Sequence, residues 1–353
     1  MRVLFLPLYS SLWASSRYRA YLWAEALGRE GFRCRVLAPP ASPGSRASYY
    51  ARLFALAPRC DVVFVQKKLF PVPLLGLLRR LNPRLVFDFD DALFTRPTDL
   101  SEEAFAEGAA EGARRLDQTL RTVSSVVAGN RYLAEYAQPW NPHVTVIPTA
   151  IDLDRLPPLP AKRTLPDRVV IGWTGRSATL GYLDALAGAL VALRKRVGER
   201  FLLKVVADRV DTSPYDIPGV PVENVVWGLD AEYTVVDGFD IGVMPLLDDP
   251  WSRGKCGFKL LQCMSRAVPV VASPVGANCE ILQDGANGFL AASEAEWTAK
   301  LGALVEDPAV RLKLGRAGWE TVAASYSFRA IIPKLATLLT EVAAGAPLRG
   351  GIR

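Results

Sequence analysis

The sequence predicts an α/β fold of two tandem Rossmann-like, doubly wound domains facing a cleft, and three observations predict it. Short apolar runs recur along the chain and alternate with amphipathic or Ala/Leu-rich stretches, the pattern of a parallel sheet covered on both faces. A Pro-rich segment interrupts this rhythm near the middle, after which it restarts. At 353 residues the chain is also too long for one ordinary core.

In the first half the strand-like runs are "RVLFLPL" (2–8), "CRVLAP" (34–39), "DVVFVQK" (61–67), "RLVFDFD" (84–90), "SSVVAGN" (124–130) and "VTVIPT" (144–149). A helix over 17–31 separates the first two and ends at Gly31, a residue suited to a helix C-terminus. The segment "DRLPPLPAKRTLPDR" (154–168) reads as the linker. Beyond it come "RVVIGWTG" (168–175), a long helix near 179–197, "FLLKVVAD" (201–208), "VENVVWG" (222–228) and "DIGVMPL" (240–246). A helix near 256–266, "PVVAS" (269–273) and "GFLAA" (288–292) follow, and "AAGAPLRGGIR" (343–353) reads as a frayed tail. The expected boundaries are therefore 1–153, a linker at 154–167, 168–328, and a C-terminal helix and tail at 329–353 that packs back on the first domain.

Composition excludes several chemistries. Half the residues are hydrophobic and 22% are charged, which is globular composition. Five cysteines without a CxxC spacing argue for reduced thiols, against a disulfide framework or a zinc site. A single histidine, His143, leaves nothing for a Ser–His or Cys–His relay and is read as structural. Cys256 and Cys263, seven apart, are placed on one face of the helix near 256–266 as core or wall residues. No window reaches the roughly 18 apolar residues of a membrane span, and "RVLFLPL" is too short for a signal peptide, so a cytoplasmic protein is expected. The first 100 residues carry 15 Lys+Arg and 7 Asp+Glu, against 27 and 29 in the remainder. That imbalance points to an anionic partner or to scattered solvated arginines.

The stretch "VFDFDDALF" (86–94) places Asp88, Asp90 and Asp91 at the end of a strand-like run. Carboxylates on alternate residues project to one side of an extended chain, so Asp88 and Asp90 can share a ligand. Three chemistries use such a pattern: the nucleophile and acid of a phosphatase, a metal-holding DxD, or an acidic rim facing a substrate that arrives from elsewhere.

The second half decides among them. "RGKCGFKLLQCMSRAVPVVASPVGANCEILQDGANGFL" (253–290) resembles the donor-site region of GT-B glycosyltransferases, in particular the retaining family four. The resembling elements are the helix start at Gly257 and Phe258, "PVVAS", "VGANCE" ending in Glu280, and "DGANGFL" with Asp284, Gly285, Asn287 and Gly288. "IGWTGR" (171–176), with Gly175 and Arg176, resembles the family's Gly-Arg turn. "VTVIPTAID", "AGNRYLAEYA" and "YSF" extend the resemblance over nearly the whole chain. It implies a nucleotide-sugar donor, a UDP- or GDP-sugar, no resident cofactor and no metal. The acceptor would be a glycan, a lipid-linked molecule or a small molecule, and no nucleic acid is implied.

The physical chemistry agrees. A helix starting near 256–258 offers unpaired N–H groups and a positive dipole to a departing diphosphate. Lys259, in the first turn, leans toward the same anion, and Arg176 can add a bidentate grip. Gln262 can exchange hydrogen bonds with ribose hydroxyls, and Glu280 is expected at the nucleotide side, with Asn278 capping its helix. The sequence also departs from the family, which usually has two glutamates flanking the helix start; those positions here are Gly254 and Gln262. Asp248, Asp249, Trp251 and Lys255 are candidates to contact the transferred sugar instead. A lysine usual five residues after the Gly-Arg turn is replaced by Gly181, and Lys259 is the candidate to compensate.

For the acceptor, "SSRYR" (15–19) follows the first strand. Ser16 is expected to cap a helix, with Arg17 and Arg19 near its start either binding an anionic acceptor group or facing water. Asn130, in "AGNRYLAEYA", joins this group, and Asp90 or Asp91 is expected to orient the acceptor hydroxyl with Asp88 partly structural. The alternative for all three carboxylates is a set of loop caps. "KKLFPVPLLGLLRRL" (67–81) fits peripheral docking on an anionic membrane, at its inner face, and fits a buried helix as well.

Rivals remain at this level. A haloacid-dehalogenase-type phosphatase resembles "VFDFDDALF", but that motif lies on its family's first strand. A manganese-dependent GT-A enzyme lacks the tandem rhythm. A degenerate GT-B module would bind nucleotide without transferring sugar.

Overall fold

A computed structural model describes residues 1–40, 42–97, 102–159, 168–232 and 234–345, with backbone alone for 102–110 and Asp230. Residues 160–167 of the expected linker and most of the expected tail lie outside the described residues. The chain forms two compact units. The first comprises Met1–Ala150, Gly254–Cys256 and Phe328–Arg353; the second comprises Ile151–Arg253 and Gly257–Ser327.

Among the described residues the first unit holds six strands: β1 (Arg2–Pro7), β2 (Arg33–Val36), β3 (Val62–Gln66), β4 (Leu85–Phe89), β5 (Ser125–Ala128) and β6 (Val144–Val146). Their order is β2-β1-β3-β4-β5-β6, and every neighbouring pair is parallel. All residues of β3, β4 and β5 are buried, as an apolar strand covered on both faces should be. Pro7 pairs with Gln66 and Gln66 with Asp88, so three strands end level with one another. The strand order reverses between β1 and β3, and ligands of such sheets bind beyond the carboxyl ends of the strands at this point.

The second unit repeats the plan with β7 (Val169–Thr174), β8 (Phe201–Ala207), β9 (Val222–Val226), β10 (Ile241–Met244), β11 (Val270–Ala272) and β12 (Phe289–Leu290). The order is β12-β11-β10-β7-β8-β9, again parallel, with its reversal between β10 and β7. Its core gathers Ile171, Trp173, Leu190, Phe201, Leu203 and Leu301, all essentially inaccessible. Every strand-like run read in the sequence is a strand, and the α/β doubly wound fold is the one expected.

Helix boundaries differ more. The stretch expected as one helix over 179–197 is a 3-10 segment, Ser177–Leu183, followed by an α-helix, Asp184–Val197. The helix expected near 256–266 runs Phe258–Ser265, so Cys256 lies in the preceding segment and does not share a helix face with Cys263. Both thiols are nonetheless buried. The helix Leu22–Arg29 stops two residues before Gly31, whose φ of +85° provides the left-handed turn. The C-terminal helix Phe328–Ala344 belongs to the first unit and buries Ile331, Leu335 and Leu339 there. Among the described residues no helix is long and apolar enough to cross a membrane.

Candidate active site

In the second unit the strand β7 ends in Thr174, and Gly175 and Arg176 follow at the reversal point of the sheet. Arg176 immediately precedes the 3-10 segment Ser177–Leu183 and is exposed, while its carbonyl accepts from the Thr179 hydroxyl at 2.8 Å. The neighbouring β8 brings Asp208 to the same edge, where it accepts from the Ser177 N–H at 2.7 Å. Burial raises the Asp208 carboxyl, but the Ser177 N–H and the nearby Arg176 bring it below the ordinary range.

The helix Phe258–Ser265 begins at Gly257, whose φ of +66° is left-handed and which supplies no side-chain cap. A Cβ at Gly257 would collide with Ile281 Cδ1, so both backbone conformation and space require glycine. Lys259 lies in the first turn with Nζ 4.2 Å from the Trp173 ring centroid, a cation–π contact. The same ammonium nitrogen lies 2.5 Å from where a Cβ at Gly175 would stand. The Gly-Arg turn and the helix start are therefore one construction: Gly175 has no side chain because Lys259 and the Trp173 ring beneath it fill that space. An uncapped helix start, a lysine over a tryptophan and an exposed arginine form an anion-receiving edge.

Other donor-side candidates are placed as follows. Gln262 is half-buried on that helix. Trp251 is half-buried on the short helix Pro250–Arg253, and Asp248 pairs with Arg253 at 2.7 and 3.1 Å. Asp249 accepts from the Ser252 N–H at 2.7 Å, and the buried Ser252 hydroxyl meets Tyr182 at 3.0 Å. Glu280 is exposed on the helix Ala277–Ile281. Asn278 does not cap that helix: Gly276 occupies the cap position, and the Asn278 amide donates to the Ser273 carbonyl at 2.9 Å. "DGANGFL" is a locked turn, with Asp284 accepting from Leu290 N–H and Lys300, and Asn287 donating to the Ile281 carbonyl.

The first unit gathers its polar side chains at the carboxyl ends of β1, β3, β4 and β5. Asp88 and Arg19 are both fully buried and pair through bonds of 2.5, 3.0 and 3.2 Å, with Arg19 also reaching Thr149 and the Ile147 carbonyl. Burial pushes the Asp88 carboxyl up to about 6, and Arg19 only partly offsets it. Asp90 accepts from the Ser15 hydroxyl at 2.8 Å and faces Lys67 at 3.2 Å. Asp91 is clasped by Lys67 and, at 3.3 Å, by Lys255. Burial would push the Asp91 carboxyl up, yet the two lysines outweigh it and hold it down at about 2. Gln66 links the Ser15 and Ser16 hydroxyls at 3.0 and 2.8 Å. Cys256 donates to the Asp90 carbonyl at 3.3 Å.

These contacts correct the expectations for the acceptor group. Ser16 is not a helix cap; Trp13 precedes the helical turn, and the Ser16 hydroxyl accepts from the Tyr9 N–H at 3.1 Å. Arg17 and Arg19 do not face water, because a π-helical turn over Arg17–Tyr21 carries them inward, and Arg17 donates to the Ser11 carbonyl at 2.6 Å. Arg19 and Asp88 satisfy each other beneath the surface and offer nothing to a substrate. Asn130 caps the helix Arg131–Ala137 and donates to the Lys255 carbonyl at 3.0 Å. Lys67 is not a membrane-facing lysine but a buried cation with φ of +61°. Reading the sequence missed Lys67, Gln66 and Ser15 as partners of the carboxylates, and Asp208 beside Arg176. A lysine ending an apolar strand was the available signal for Lys67.

Residues 168–307 match the family of glycosyl transferases group 1. That segment is a group 1 glycosyltransferase domain. The match contains Gly175, Arg176, Gly257, Lys259, Gln262 and Glu280, the whole anion-receiving edge. A search of curated proteins finds no significant match to the chain. Among solved structures the chain resembles Anabaena Alr3699/HepE in complex with UDP and glucose, at 15% identity and a TM-score of 0.68, over 97% of this chain and 100% of that one. It resembles sucrose-phosphate synthase from Thermosynechococcus elongatus at 16% identity and a TM-score of 0.71, over 98% and 100%. WaaG, a glycosyltransferase involved in lipopolysaccharide biosynthesis, aligns at 14% identity and a TM-score of 0.65, over 96% and 100%. These likenesses establish that the glycosyltransferase domain and the unit before it together have the GT-B glycosyltransferase fold.

Proposed function

We propose that this protein transfers a sugar, a hexose in the first instance, from a UDP- or GDP-sugar to an acceptor hydroxyl with retention of configuration. The observation that carries the reading is the Lys259 ammonium, 4.2 Å over Trp173 at the open start of the helix Phe258–Ser265. The charge that must be stabilised in such a reaction develops on the departing diphosphate. A helix start, Lys259 and Arg176 supply donors and positive charge there without any rearrangement during the reaction. Gln262 and Glu280 hold nucleoside or sugar hydroxyls.

Retention follows when the acceptor attacks the face that the diphosphate leaves, with the departing phosphate oxygen taking the hydroxyl proton. This requires no histidine base, which suits a chain with one histidine placed before β6. Asp90 and Asp91 orient the acceptor hydroxyl. No resident cofactor is required, and a divalent ion at the carboxylates is disfavoured. Arg19, Lys67 and Lys255 already compensate Asp88, Asp90 and Asp91, whereas a hard cation needs several uncompensated oxygens.

The test is release of nucleoside diphosphate from a panel of UDP- and GDP-hexoses, with Lys259→Met and Arg176→Ala alongside. Release by the wild type and its loss in Lys259→Met supports the reading. Nucleotide binding without turnover would mark a binding module instead.

A further inference from the structure

At the carboxyl edge of the first sheet Arg19 and Lys67 are consumed by carboxylates and Arg17 donates to a backbone carbonyl. Lys68 follows Lys67 directly at the carboxyl end of β3, next to the reversal point of the first sheet. Its ammonium lies 4.0 Å from the Tyr49 ring centroid and 5.4 Å from that of Phe70. It has no hydrogen bond or ion pair among the described residues. Tyr49 belongs to the first turn of the helix Arg46–Leu56, where the dipole favours an anion. The Tyr49 hydroxyl is buried and also lacks a hydrogen-bond partner. The titratable groups around Lys68 are tyrosines: Tyr49 itself, with Tyr50 and Tyr21 acting on it. The adjacent Lys67 is committed to Asp90 and Asp91. Burial alone, unopposed by any carboxylate, lowers the Lys68 ammonium to about 8.

A half-buried cation on an aromatic face, beside an unsatisfied hydroxyl and with no counter-ion, is an unfilled anion site. We propose that Lys68, with Tyr49 beside it, anchors an anionic group of the acceptor, a phosphate or carboxylate. The acceptor is then a charged sugar or sugar phosphate, held at the same sheet edge as Asp90. The inference rests on the transferase reading only for the word acceptor; the anion site stands or falls by direct binding.

Isothermal titration with glucose 6-phosphate, glucuronate and glucose tests it on the full chain without any donor. The wild type should bind one of the two anionic sugars more tightly than glucose at pH 7, and the anion that binds identifies the group. Lys68→Met should weaken that binding at least tenfold. Raising the pH to 9.5 should weaken the wild type about as much, because an ammonium titrating near 8 is then mostly neutral. Lys68→Arg, which keeps its charge, should bind at both pH values. Equal affinity of Lys68→Met and wild type, or a wild-type affinity that is flat from pH 7 to 9.5, overturns the proposal. Diphosphate release is measured separately, so an inactive but anion-binding protein would remove the transferase reading and leave the site intact.

Discussion

Asp88 accepts three bonds from Arg19 at 2.5–3.2 Å in a region with no solvent access. Asp88→Asn leaves a buried guanidinium uncompensated, which costs about 3–5 kcal/mol, and denaturant unfolding should register a loss of that size. Asp91 predicts a pH effect. Its folded value is about 2, below its ordinary 3.8, so its contribution to stability is complete above about pH 4 and is lost as pH falls toward 2. Asp91→Asn should flatten the stability curve in that interval and lower stability at neutral pH. Single residues were the least legible scale. The sequence marks Asp88, Asp90 and Asp91 as chemically significant, but their separate fates depend on Arg19, Lys67 and Lys255, which lie 69, 24 and 164 positions away in the chain. No local pattern encodes those pairings.

At the scale of elements, two glycines carry the donor edge. Gly175→Ala places a methyl 2.5 Å from the Lys259 ammonium and 2.5 and 2.6 Å from carbons of the buried Trp173 ring, so both side chains must move. We expect about a tenfold loss of nucleoside-diphosphate affinity in titration together with a lower melting temperature, since the lysine can yield but the buried indole is held by the core. Gly257→Ala adds a backbone cost. The left-handed φ of +66° and the crowding by Ile281 are backbone and core constraints, so it should lower the melting temperature of the second unit as well as donor affinity. Strands were legible because β3, β4 and β5 are continuous apolar runs buried on both faces. The helix start at Phe258 was legible from "CGFK" because glycine there has a stereochemical reason. The 3-10 segment Ser177–Leu183 was not, because "SATLGYL" is compatible with an ordinary helix start.

At the scale of the whole molecule, the first unit is assembled from three separate segments of the chain. Its last piece, the helix Phe328–Ala344, packs on the helix Leu22–Arg29 and on β3. Burial of Ile331, Leu335 and Leu339 alone is worth roughly 5–9 kcal/mol, comparable to the total stability of a domain. Truncation after Ser327 should therefore unfold the first unit, seen as loss of one calorimetric transition while the second unit retains its own. The tandem plan was legible in the repeated strand rhythm; the segment Gly254–Cys256 belonging to the first unit was not, since nothing in its composition differs from its neighbours. Direct titration of UDP and GDP against wild type and Lys259→Met measures what the anion-receiving edge of the second unit contributes. A charge-assisted contact worth about 1.5–3 kcal/mol predicts that at least one nucleotide binds and that the variant binds it about 10- to 100-fold more weakly. Unchanged affinity in Lys259→Met would mean that this lysine does not receive the diphosphate.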